Sequence, residues 1–357
     1  MAGRYRLVER IGEGAVGAVW RATHLDLGTH VALKLIHDDL EGDDIRARFV
    51  REARLAARLG GTCRYIARVM DYGQSDEVGP FLVMELLEGE TLADRLRREG
   101  RLPLLLVVRI VAQLARALSV AHAAAVVHRD LKPANVFLTK PDDGSLDVHV
   151  KLMDFGIAKL LDEDPTSSRE LETRRGSIVG TPAYMSPEQA LAQAVDERSD
   201  LWSLGATVYR LLTGQLPFGT AHLPEIGFRI VGQPAKPPSA HVPELPAAVD
   251  AWMEKALAKT PDDRFADALE MAEAFAVAAG VDPAAAMPTA FHPSPMPSSG
   301  VRARALVESE ILPTKRYPAL ERTASGLRKR RTTHAWHLVV LALVVLVAAL
   351  VVSQLVR

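Results

Sequence analysis

An acid stands five positions before an amide, with a lysine between them, in His128-Arg129-Asp130-Leu131-Lys132-Pro133-Ala134-Asn135. A second acid follows beside a glycine in Asp154-Phe155-Gly156. Moving a phosphoryl group needs a base or orienting group for the nucleophile. It also needs oxygen ligands for a divalent cation, and positive charge for the spreading negative charge. These residue types supply each part. A lone Asp-Phe-Gly would read equally well as a turn, but the two motifs in this order point to phosphoryl transfer.

Further upstream, Gly12, Gly14 and Gly17 spell G-x-G-x-x-G within Ile11-Gly12-Glu13-Gly14-Ala15-Val16-Gly17-Ala18-Val19. The spelling alone is weak, because dinucleotide-binding folds share it. Those folds need a helix directly after the glycines. Here Val19-Trp20-Arg21-Ala22 and Thr29-His30-Val31-Ala32-Leu33-Lys34 follow. Their β-branched, aromatic and alternating character predicts strand, glycine turn, strand, strand. Glycine in such a turn lets the backbone approach a ligand without a Cβ in the way. Next, Ile45, Phe49, Glu52, Ala56 and Leu59 fall at helical spacing, with Asp43 or Asp44 available as N-cap. Glu52 thus shares a face with apolar residues, where a carboxylate is costly unless paired. Its bland alternative is an exposed partner for Arg48 or Arg51.

Together these motifs resemble protein kinases of the serine/threonine type, most like the bacterial eukaryotic-like (Hanks-type) kinases. The resemblance runs from about Tyr5 to about Phe275. It implies an α+β, two-lobed kinase fold with a small β-rich N-lobe and a large helical C-lobe. The expected domain is 5–276, divided near 5–87 and 88–276.

The resemblance also implies roles. The glycine loop with Ile11, Gly12, Gly14 and Gly17 would cover the phosphates of ATP. Lys34 would contact the α- and β-phosphates and pair with Glu52. Met84 would guard the back of the adenine pocket, the backbone of Glu85 and Leu87 would bond the adenine edge, and Val19, Ala32 and Phe137 would sandwich the ring. Asp130 resembles the base that accepts the substrate hydroxyl proton, and Lys132 would contact the γ-phosphate. Asn135 and Asp154 resemble the ligands of Mg²⁺, with Mn²⁺ as an alternative ion; hard oxygens suit either. His128 resembles a loop-supporting residue. Lysine two places after Asp130, and Thr181 in Gly180-Thr181-Pro182, follow the serine/threonine pattern. Glu188, in Met185-Ser186-Pro187-Glu188, would ion-pair with Arg264, and Asp200 would anchor the catalytic loop. Arg129 implies activation by a phosphate on the loop, with Thr173 or Ser177 as the autophosphorylation site and a homodimer as the means of trans-autophosphorylation.

Composition agrees with a globular chain: 48% hydrophobic and 24% charged over 357 residues. The single cysteine, Cys63, excludes an intrachain disulfide and fits a reducing compartment. A net charge of −1 without a basic, aromatic-spaced face gives no support for nucleic-acid binding.

The charge is unevenly placed. Residues 281–337 carry nine Lys/Arg against four acids, and with Arg357 this leaves −7 for residues 1–280. Seven prolines with interspersed serines between Pro283 and Pro318 mark a basic, disordered linker over 281–335. Fifteen uninterrupted Leu, Val and Ala residues then run from Leu338 to Val352. As a helix, residues 336–356 would span about 31 Å, close to a hydrocarbon core of about 30 Å. The expectation is one C-terminal transmembrane helix; a buried C-terminal helix is the alternative, but this segment lacks a polar face. Arg328-Lys329-Arg330-Arg331 before it places that flank inside. The resulting expectation is a single-pass protein of the cell inner membrane, kinase domain cytoplasmic and C-terminus outside. The basic linker would lie near anionic lipid. No signal peptide and no sensor domain beyond the span are expected.

Two rivals remain at this level. A catalytically dead scaffold is weakened by the presence of Lys34, Glu52, Asp130, Asn135 and Asp154 together. A small-molecule kinase is weakened by Gly180–Glu188, which resembles a protein-substrate platform.

Overall fold

The computed structural model describes residues 3–14, 17–36, 43–75, 79–139, 148–155, 182–220 and 223–286. The chain divides into two units, 1–292 and 293–357, and every described residue belongs to the first. The expected linker and transmembrane helix fall outside the described residues.

Strands β1 (Tyr5–Gly14), β2 (Gly17–His24), β3 (His30–Ile36), β4 (Val69–Ser75) and β5 (Gly79–Glu85) form an antiparallel sheet in the order β1-β2-β3-β5-β4. The period-2 pattern divides it into two faces. Val31, Leu33, Phe81 and Val83 pack with Tyr5 and Ala22 on one side. Ala32 and Lys34 alternate with them and pair with Met84 and Leu82 of β5. Against that second face lies helix α1 (Asp43–Thr62), whose Ala53 and Ala56 pack on Val69 and Leu82. Small side chains let the helix sit close, and strand register puts Lys34 on this face and not on that of Val31 and Leu33. On β4, a Cβ at Gly73 would meet the Phe81 ring at 2.5 Å.

A small sheet of β6 (Gly89–Thr91), β7 (Val136–Thr139) and β8 (His149–Leu152) follows, in the order β6-β7-β8. Gly89 has φ +146°, and a Cβ there would lie 2.0 Å from the Leu138 carbonyl oxygen, so only glycine fits at the start of β6. Helices α2 (Leu92–Glu99), α3 (Leu104–Ala123), α4 (Pro187–Ala190), α5 (Glu197–Thr213), α6 (Leu223–Gly232), α7 (Ala247–Ala256), α8 (Ala268–Ala278) and α9 (Pro283–Ala286) make up the remainder. Helix α5 is buried almost all round, from Ser199 to Tyr209, as a core helix must be. Asp196 caps its start and Gly214, in the left-handed region, ends it. Among the described residues α3 alone is long and apolar enough to cross a membrane. It is instead largely buried in the helical region against α5 and α8. Small β-rich and large helical parts thus stand as the sequence led us to expect.

Candidate active site

The loop between α3 and β7 carries Asp130. Its shape rests on Asp200 of α5, which is fully buried. The Asp200 carboxylate accepts from the backbone N–H of His128 (2.8 Å) and of Arg129 (2.8 Å) and contacts His122 Nε2 (2.8 Å). Arg129 has φ +64°. A non-glycine residue in that region costs roughly 1–3 kcal/mol and persists only where its surroundings dictate it. Here both backbone groups of Arg129 are held: its N–H by Asp200, its carbonyl by the Gln189 side chain, whose Nε2 donates at 2.9 Å.

His128 is buried and bridges this loop to the strand that follows. Its Nε2 lies 2.9 Å from the Met153 carbonyl, and its Nδ1 accepts from the Asp130 N–H at 3.3 Å. These partners call for the Nε2–H tautomer. The ring also packs against buried Phe155, centroids 4.8 Å apart. Asp154, between Met153 and Phe155, sits at φ +58°.

The reacting end of the cluster follows from these supports. Lys132 Nζ contacts both Asp130 carboxylate oxygens, at 3.0 and 2.8 Å. Asn135, held by a 3₁₀ turn over Pro133–Asn135, donates Nδ2 to the Asp130 carbonyl (2.8 Å) and to Asp130 Oδ2 (2.9 Å). Its Oδ1 is thereby left as an acceptor. Lys34 Nζ reaches across from β3 to Asp154 Oδ1 at 2.7 Å. Burial would raise the Asp154 carboxyl, but the Lys34 charge and hydrogen bond outweigh it and hold the group below the ordinary carboxylate range. Asp154 therefore stays anionic, and among the described residues its Oδ2 has no hydrogen-bond partner. Two oxygen donors, Asn135 Oδ1 and Asp154 Oδ2, are too few for a closed metal cage, but they suit a cation that also takes ligands from a phosphate substrate.

Of the residues expected around a base, Val19, Ala32, Met84 and Glu85 lie on the five-stranded sheet and Phe137 on β7. Val19 pairs with Gly12 and Lys34, and Ala32 with Met84. Met84, Glu85, Leu87 and Phe137 are half-buried, and Ile11 is 46% exposed. The Glu85 N–H is committed to the Arg68 carbonyl (3.0 Å), so only its carbonyl can serve a ligand edge. A Cβ on Gly12 would meet nothing closer than Val19 Cβ at 3.7 Å; the chain's own packing does not demand glycine there. Gly14 and Gly17 pair at the tip of the β1–β2 hairpin.

Glu188 and Arg264 meet as expected. Arg264 Nη1 and Nη2 donate to the two Glu188 oxygens, each at 2.8 Å, and Ser199 Oγ donates to Oε1 at 2.5 Å. Burial pushes the Glu188 carboxyl up, but the Arg264 and Ser199 bonds prevail and bring it down to about 2. Glu52 lies in α1, but its side chain is outside the described residues, as are Thr173, Ser177 and Thr181.

Four contributors escaped the sequence reading. His122 joins Asp200, and Gln189 joins Arg129. Gln113 spans β8, with Nε2 donating to the Val148 carbonyl (3.0 Å) and Oε1 accepting from the Val150 N–H (2.8 Å). The Glu85 side chain accepts from the Arg68 N–H (2.7 Å) and Lys151 Nζ (2.8 Å). Gln113 had a signal: an amide inside an apolar helix wants partners. Ser186-Pro187-Glu188-Gln189 had one too, since S-x-x-Q is a capping-box spelling. His122 and the Glu85 side chain had none.

Residues 5–275 match the family described as "Protein kinase domain". The serine/threonine-protein kinase pkn3 of Myxococcus xanthus is 41% identical over 271 residues, 75% of this chain and 48% of the relative. The serine/threonine-protein kinase PknA of Mycobacterium tuberculosis is 36% identical over 339 residues, 93% of this chain and 73% of the relative. The crystal structure of the Mycobacterium tuberculosis PknI kinase domain superimposes with a TM-score of 0.60 at 32% identity, covering 77% of this chain and 96% of that one. The chain spans less than half the length of pkn3 and of Pkn1, another Myxococcus xanthus relative.

Proposed function

The chain belongs to the protein kinase family, and from that premise we propose that it transfers the γ-phosphate of ATP to serine or threonine hydroxyls of proteins. Membership implies ATP and a divalent cation; Mg²⁺ is our choice of ion. The observation that carries the reading is the single cluster of Asp130, Lys132 and Asn135, facing a Lys34–Asp154 pair across the site. Asp130, oriented through its backbone by Arg129 and His128, accepts the hydroxyl proton of the incoming side chain. Lys132, already beside it, places a positive charge where the transferring phosphoryl group gathers negative charge. Lys34 turns from Asp154 toward the α- and β-phosphates. Asn135 and Asp154 would hold the cation, which screens the phosphate charge when bound. The glycines of β1 and β2 let backbone N–H groups approach the phosphates, and the Glu85 carbonyl with the Leu87 backbone meets the adenine edge.

Activation by autophosphorylation at Thr173 or Ser177, in trans within a homodimer, belongs to the same proposal. Arg129 supports it: the side chain is exposed, and among the described residues it has no acidic partner. Residues 336–356 anchor the protein in the inner membrane with the kinase domain, 5–276, on the cytoplasmic side and residues 281–335 as the tether. Their apolar composition and the basic run before them support that placement.

Incubating the full chain with γ-labelled ATP, Mg²⁺ and dephosphorylated casein tests the activity. The expected product is casein labelled as phosphoserine or phosphothreonine. No label, or phosphotyrosine alone, refutes the reading.

A further inference from the structure

Gln189 is the third residue of α4 and closes its capping box. Its Oε1 accepts from the Ser186 N–H at 3.1 Å, while Ser186 Oγ accepts from the Gln189 N–H at 3.3 Å. A capping box uses only the oxygen of the Gln side chain. The other half of this amide is employed elsewhere: Nε2 donates to the Arg129 carbonyl, 60 positions away in sequence, at 2.9 Å. That carbonyl belongs to the peptide bond that leads into Asp130, and Arg129 is the residue held at φ +64°.

Rotating the Arg129–Asp130 peptide would swing Asp130 away from Lys132 and Asn135. Three contacts resist this, one of them from His128 Nδ1, which accepts from the Asp130 N–H at 3.3 Å. Asp200 holds the N–H on one side of Arg129, and Gln189 holds the carbonyl on the other. The preceding residue, Glu188, is fixed by Arg264 and Ser199, so the start of α4 is a rigid mount and not a loose strap. On these contacts we propose that Gln189 is a positioning residue for the transfer step. Its amide couples the end of the 154–188 segment to the peptide that aims Asp130. A change that displaces Ser186–Gln189 would then loosen Asp130 without touching it, so the position of this segment is read directly at the catalytic loop.

A glutamate at 189 separates the two functions. Glutamate caps as well as glutamine does, but its carboxylate cannot donate to the Arg129 carbonyl. Ser186→Ala does the reverse. It removes one capping bond and leaves both side-chain bonds of Gln189 intact.

The proposal rests on the phosphotransfer reading, and one experiment keeps the two apart. Steady-state transfer from MgATP to casein is measured for the full chain, Gln189→Glu and Ser186→Ala, with thermal midpoints alongside. The expected result for Gln189→Glu is a fall in kcat of roughly three- to tenfold, the size of one hydrogen bond between neutral groups. Its KM for ATP stays within about twofold and its midpoint is unchanged. Ser186→Ala should lower the midpoint and leave kcat as it was. A Gln189→Glu enzyme with the kcat of the unaltered chain overturns the inference while the kinase reading stands. So does a pair of variants whose kcat values simply follow their midpoints. An unaltered chain that transfers nothing overturns both.

Discussion

Glu188–Arg264 and Lys34–Asp154 are ion pairs of nearly equal length, 2.8 and 2.7 Å, built for opposite ends. The first is sealed. Its side chains are 6% and 0% exposed, and the guanidinium also donates to the Ala258, Arg198 and Lys259 carbonyls, so every donor is used. The second is open on one side. Asp154 is 34% exposed, sits at φ +58°, and among the described residues has one oxygen without a hydrogen-bond partner. A satisfied buried pair has one arrangement and acts as a fixed mount. A half-satisfied pair at the surface of a site can exchange partners when a ligand arrives. On the function proposed above, the difference separates holding Asp130 still, in the helical region, from receiving phosphates beside β3.

The comparison breaks most severely at Asp154. Asp154→Asn should lower transfer by two to four orders of magnitude, equivalent to several kcal/mol of lost charge stabilisation. The fold should survive, because asparagine tolerates positive φ. Turnover and thermal midpoint measured together check this; a large fall in midpoint would place Asp154 among the structural residues.

Arg264→Met inverts the pattern. Stranding buried Glu188 should cost about 3–5 kcal/mol of stability, read from denaturant unfolding. Transfer per folded molecule should change far less than in Asp154→Asn.

Acid sharpens the same point. The Glu188 carboxyl falls from 4.5 to about 2 on folding, so the folded state binds this proton less readily. Its contribution, on the order of 3 kcal/mol, is complete above about pH 4.5 and is lost as pH falls toward 2. Gln at 188 should flatten that part of the stability–pH curve.

The smallest effect lies at Lys259, whose Nζ stands 4.3 Å from the Phe218 ring centroid, 4.9 Å from that of Trp202, and 2.6 Å from the Ile230 carbonyl. Burial, reinforced by Arg264, pulls the ammonium down to about 8. Between pH 8 and 10.5 the folded state binds fewer protons than the unfolded one, so stability rises with pH there. The rise should be about 1 kcal/mol after solvent screening. Lys259→Met should lack it; equal slopes for the two chains would contradict this account.

What the sequence made legible was local chemistry. Asp130, Lys132 and Asn135 lie within six positions, and strand alternation alone puts Ala32 and Lys34 on one face. Glu188 and Arg264 were legible only through resemblance, because 76 positions separate them. The Asp200 hub was legible only through resemblance: Asp196, not Asp200, caps α5, and His122 reaches Asp200 only through the crossing of two helices. Apolar length alone also misleads. Leu104–Ala123 would suit a bilayer by composition, yet it is core, because α5 and α8 present apolar faces to it. The terminal run at 338–352 differs in lacking polar residues altogether, and cell fractionation with and without 336–357 decides it. Pelleting with membranes is expected for the full chain alone.

The most direct test of the site compares the unaltered full chain with Asp130→Asn under γ-labelled MgATP and casein. Loss of the proton acceptor should reduce label on serine and threonine by roughly 10²- to 10⁴-fold, with ATP binding and thermal midpoint retained. Equal labelling by the two chains would show that Asp130 is not the group that receives the hydroxyl proton, and the assignment of this cluster as the transfer site would fall.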